Sequence, residues 1–95
     1  MNRKVYIVTY DLKYKWLRNY QGLYNQLQAF PAWMHHLDNT WLIVSEQTPE
    51  QIYNLLAPQL GDDCHILITR VTRDYFGLLP EEAWQWLTSH KDLLG

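Results

Sequence analysis

The residues able to do chemistry gather in four short stretches. The first is residues 4–12, KVYIVTYDL, an apolar run that closes on Asp11. A carboxylate ending a buried strand can hold a hard cation, move a proton, or merely turn the chain. The second is residues 12–18, LKYKWLR, where Lys13, Lys15 and Arg18 interleave with Tyr14 and Trp16. Cations hold phosphates and rings stack on bases. The same pattern also describes a solvated loop whose long side chains lie over their neighbours. The third is the pair His35 and His36. Adjacent strand residues point to opposite faces, so the two cannot easily share a metal. Either one placed near Asp11 could act as a general base or an accessory ligand, the alternative being a hydrogen-bonded histidine on a sheet surface. The fourth is Asp62, Asp63, Cys64 and His65. The acids read as solvated turn residues, and Cys64 and His65 lack partners at zinc-like spacing.

The elements that must position these residues follow from periodicity. Residues 4–11 read as a strand, with Val5, Ile7 and Thr9 on one face and Tyr6, Val8 and Tyr10 on the other. Both faces are largely apolar, so both are expected to be covered. Tyr20, Leu23, Tyr24, Leu27 and Phe30 recur at helical spacing, predicting a helix over 19–29 with Asn19 near its cap and Pro31 ending it. Residues 33–38 and 40–46 read as a hairpin turning at Asp38 and Asn39, with Trp33, His35 and Leu37 on one face. Thr48, Pro49 and Gln51 spell the start of a helix over 49–59, as a capping box with proline in the first turn. Residues 64–71 are a fourth strand. Residues 75–80, YFGLLP, are an apolar connection, and a last helix starts near Pro80 with Glu81 and Glu82 at its positive end, fraying from Ser89.

At 95 residues the chain is expected to form one domain, 1–95, with a modest core. A net charge of −2 excludes a uniformly basic nucleic-acid binder and leaves only local patches for that role. The single cysteine excludes an internal disulfide and fits a reducing compartment. No apolar run approaches the roughly 20 residues of a membrane span, and the first residues do not read as a signal peptide. A cytoplasmic protein without membrane contact is expected. Five Trp and seven Tyr are more rings than so small a core needs, which fits an oligomer with an aromatic interface.

The order is β-α-β-β-α-β with a C-terminal helical extension, an α+β arrangement of the ferredoxin-like, split β-α-β kind. That order, together with VYIVTYDL closing on Asp11, resembles the small CRISPR-associated adaptation proteins and the virulence-associated protein D ribonucleases. Trp33, His35, residues 40–43 (TWLI), residues 77–80 (GLLP) and residues 83–87 (AWQWL) look closer to a narrower bacterial group filed as "SinR family". The resemblance implies a ferredoxin-like homodimer in which Asp11 is the catalytic or metal-binding residue, with Mg²⁺ or Mn²⁺ as cofactor. It also implies RNA or DNA as substrate, with Lys13, Lys15 and Arg18 on the phosphates. The competing expectation is a dimeric interaction or nucleic-acid-binding module of the same fold without turnover.

Overall fold

A computed structural model describes residues 2–95. Strand β1 (Lys4–Asp11) is followed by helix α1 (Gln21–Gln28), and the hairpin strands β2 (Ala32–Leu37) and β3 (Thr40–Ser45) come next. Helix α2 (Pro49–Leu56), a 3₁₀ turn (Ala57–Gln59), strand β4 (His65–Arg70), helix α3 (Glu81–Ser89) and a second 3₁₀ turn (Lys91–Leu93) complete the chain. The strands form one antiparallel sheet in the order β2-β3-β1-β4. At a coarse level this α+β architecture is consistent with a ferredoxin-like fold. Among the described residues no helix is long and apolar enough to cross a membrane.

The two-sided β1 divides the core. Tyr6, Val8 and Tyr10 face α1 and α2 and pack with Trp41, Ile43, Leu23, Leu27, Ile52 and Leu56. Val5 faces the other way, into a second cluster with Leu42, Val44, Met34, Ala83, Leu87 and Leu94. The register follows from this alternation: Val5 sits opposite Val44 and Val8 opposite Trp41, so like faces meet. Each helix buries a pair four residues apart, Leu23 and Leu27, Ile52 and Leu56, Ala83 and Leu87. Spacing by four places both side chains on one face, and each fully buried leucine contributes about 1.5–3 kcal/mol. The start of α2 is the capping box its sequence spells. Thr48 Oγ1 accepts the Gln51 N–H at 3.2 Å, and Gln51 Oε1 accepts the Thr48 N–H at 2.9 Å.

Two expectations change. The pairing of β2 with β3 slips between Met34 and Leu37, so the alternation shifts by one residue at His35 and His36. Leu37 therefore sits opposite Thr40 and lines the same groove as Met34 instead of sharing the face of Trp33 and His35. The C-terminal segment also docks where fraying was expected. Leu94 is buried, the Gly95 N–H donates to the Val71 carbonyl at 3.3 Å, and the Arg73 N–H donates to the Gly95 carbonyl at 3.1 Å.

Helix α3 and this segment cover only part of the second sheet face. Toward β4 the face stays open: His65, Leu67 and Thr69 are exposed, with Leu67 showing 62% of its surface. Beside them runs an uncharged groove of about 280 Å³, lined by Ile7, Leu37, Thr40, Leu42 and Trp84 and rimmed by Phe76 and Leu78.

Candidate functional site

The end of β1 is held by the loop that follows it. Leu12 is buried, which pins the chain just past the strand. Tyr14 then takes a left-handed backbone, with φ 55, unusual for a residue with a side chain. That turn lets the N–H groups of Leu17 and Arg18 both reach the Tyr14 carbonyl, at 2.9 and 2.8 Å. The Tyr20 hydroxyl closes the loop from below by donating to the Lys13 carbonyl at 2.7 Å. A phenol has a single proton, so the Cys64 thiol, 3.3 Å from the same oxygen, is the donor in that second interaction.

Asp11, the last residue of β1, is exposed, and Lys13 Nζ donates to its Oδ2 at 2.7 Å. The Lys13 hydrogen bond and charge hold its carboxyl below the usual carboxylate range, so it is ionised at neutral pH. Across the ladder its partner is His65, and Thr9, Asp11, His65 and Leu67 border one shallow depression. His65 is thus the histidine nearest in register to Asp11. Nothing local in the sequence signals this, because the pairing of β1 with β4 joins residues more than fifty positions apart.

The sequence-selected cations are all brought to this end of the sheet, and each meets an acid or an amide. Arg18 grips Asp63 through both arms of its guanidinium, at 2.6 and 3.1 Å, and lies 5.1 Å from the centre of the Tyr14 ring. That fork lowers the Asp63 carboxyl below its usual range. Lys15 Nζ donates to Asn39 Oδ1 at 3.1 Å and stands 3.9 Å from Asp38. Lys13 is taken by Asp11. Three cations and three carboxylates therefore offset one another locally.

The histidine pair is split. His35 stacks on Trp41, with ring centroids 4.0 Å apart and 12° between planes, and its Nε2 lies 3.0 Å from the Asp38 carbonyl oxygen. It belongs to an aromatic group that also holds Trp33 and Tyr24. His36 lies exposed in the irregular stretch of β2.

Chemically, the site offers one ionised carboxylate, an ammonium bonded to it, and an imidazole on the adjacent strand. Among the described residues no three His, Cys, Asp or Glu side chains come together to hold a metal ion. No family model, no curated protein and no solved structure matches this chain.

Proposed function

We propose that the chain is a ferredoxin-like module that pairs with a second copy of itself through the open half of its second sheet face. The observation that carries this reading is the pairing of a knob with a hole on one surface. Phe76 and Leu78 stand fully exposed at the rim of an uncharged groove. A surface that both projects and receives apolar groups is self-complementary, as a two-fold interface requires. Apolar area left bare on a monomer otherwise invites aggregation. Light scattering at micromolar concentration tests the reading: a mass near twice 11.5 kDa is expected, and a clean monomer of 11.5 kDa would remove it.

A second reading is phosphodiester hydrolysis of RNA or DNA, and it rests on Asp11. Asp11 is exposed and ionised beside His65 at the border of the open half-face, and in a pair formed through that face the second copy would bring another carboxylate. The Asp11 carboxylates of the two copies would hold Mg²⁺ or Mn²⁺, which would supply positive charge to the phosphate. Lys13, Lys15 and Arg18 would hold the substrate by exchanging Asp11, Asp38 and Asp63 for its phosphates. The test is wild type against Asp11→Asn, with either metal, on single- and double-stranded RNA and DNA. Cleavage should fall on the order of a hundredfold or more in the variant. Equal rates, or no cleavage by wild type, leave the non-catalytic pairing module.

A further inference from the structure

The eight Lys and Arg residues divide into two groups. Lys13, Lys15 and Arg18 pair with acids at the Asp11 end of the sheet. The other five, Arg3, Lys4, Arg70, Arg73 and Lys91, take part in no ion pair among the described residues. They collect at the opposite end. Lys4 opens β1, roughly 23 Å along the strand from Asp11, and Arg70 closes β4 beside Tyr6, roughly 17 Å from it. Arg3, Lys4 and Arg70 line one cleft with Asn2, and Asp92 is the carboxylate among its lining residues. Arg73 continues the track, its guanidinium donating to the Lys91 carbonyl at 3.2 Å.

Arg3 also lines a second hollow, of about 270 Å³, on the helix side of the same end. Its wall carries the half-buried Phe30 ring, Gln26 and Gln47 border it, and the exposed Glu46 is the carboxylate among its lining residues. A ring gives a stacking surface, and a carboxamide both donates and accepts, as the edge of an unpaired base requires. Cations beside a ring-walled hollow match a phosphate backbone with one base turned inward. A base inside a duplex is not free to turn in this way.

We propose that this end of the molecule binds single-stranded nucleic acid, with phosphates on Arg3, Lys4 and Arg70 and an unpaired base in the Phe30 hollow. The site is separate from the pairing face and from Asp11, so it stands or falls without them. Arginine suits the role because its fork meets two phosphate oxygens at once.

Fluorescence polarisation with a labelled single-stranded oligonucleotide tests the assignment. Wild type should bind with an affinity that falls as salt rises. In Arg3→Gln/Arg70→Gln binding should weaken tenfold or more. The slope of log affinity against log salt should flatten by about 1.4, roughly 0.7 for each phosphate that is no longer neutralised. Both arginines are exposed and their side chains make no hydrogen bond among the described residues, so the fold should survive. Circular dichroism checks this. If that variant nevertheless unfolds, Gln26→Ala/Gln47→Ala carries the test through weaker hydrogen bonding to the base, with an unchanged salt slope. Gln85→Glu/Thr88→Glu, which lowers the net charge by the same two units at exposed positions of α3, should bind within twofold of wild type, and a duplex of the same sequence should bind more weakly. The proposal is overturned by no binding at about 100 μM protein in 50 mM salt, or by equal weakening in the Arg3/Arg70 and Gln85/Thr88 variants. Displacement of the oligonucleotide by polyglutamate at matched charge would also overturn it, in favour of an acidic protein partner.

Discussion

Replacing Phe76 and Leu78 together by serine should dissolve the pair without harming the monomer. In the single chain Phe76 shows 103% of its reference surface and Leu78 95%, so neither contributes packing to the fold. Their removal should therefore change unfolding free energy by no more than about 0.5 kcal/mol, the usual range for surface substitutions. In a pair the same side chains become buried. Full burial of a large apolar side chain is worth about 1.5–3 kcal/mol, so the two give about 3–6 kcal/mol per chain. At about 1.4 kcal/mol per tenfold, the dissociation constant should rise on the order of a hundredfold to ten-thousandfold. In a two-fold pair both copies give up this burial, so the range is a lower bound.

The assay is sedimentation velocity over a concentration series, with urea unfolding run on the same samples. Trp16→Ser/Leu17→Ser is the control. Those side chains are 80% and 68% exposed, yet they sit on the loop after β1 and line none of the groove. Loss of association in the Phe76/Leu78 variant alone, with an unchanged urea midpoint, is the expected result. An unchanged dissociation constant would falsify the pairing face, and equal weakening by the control would mean nonspecific apolar association.

Two further outcomes check the interior and the charged end. Tyr10→Phe removes the oxygen that accepts the buried Trp41 indole N–H at 2.8 Å, and an unpaired buried donor costs about 1–3 kcal/mol, readable by urea denaturation. Because Arg18 lowers the Asp63 carboxyl below its unfolded value near 3.9, the ion pair stabilises the fold above that pH, and the contribution is lost as pH falls through the lower folded value. The melting temperature of wild type should therefore exceed that of Asp63→Asn at neutral pH and converge with it in acid. A gap that persists at low pH would mean that Asp63 acts through its shape and not its charge.

How much of the molecule is legible in its sequence depends on how far each feature reaches along the chain. The two apolar faces of β1 and the Thr48–Gln51 cap are local patterns, and the structure carries both. So are the buried helix pairs. The slip at His35 and His36 is not local. It depends on how Met34 and Leu37 each find a partner on β3, and two polar residues in succession give no pattern that resists a shift. The sequence draws attention to His35 or His36 as the histidine near Asp11, but the ladder sets His65 there. The acid partners of Lys13, Lys15 and Arg18 are hidden in the same way. Two of the three, Asp38 and Asp63, arrive from distant turns whose acids read as simply solvated.

Coverage of the second sheet face follows from widths. A helix is about 10 Å across, whereas four strands spaced about 4.8 Å apart make a wider sheet. Helix α3 packs with Met34, Val44 and Val5 of β2, β3 and β1, so β4 is left bare, with Leu67 exposed. The 75–79 connection projects beside a groove whose strand residues come from β1, β2 and β3, and that uncharged groove suits an apolar partner. At the Asp11 end, a phosphate reaching Arg18 must first displace a two-armed carboxylate, and one reaching Lys13 must displace Asp11. At the other end Arg3, Lys4 and Arg70 need release no ion-pair partner among the described residues. An incoming polyanion therefore meets the smaller desolvation and exchange cost at the Arg3–Arg70 end, although the first-strand aspartate and its cations are what the sequence brings to notice.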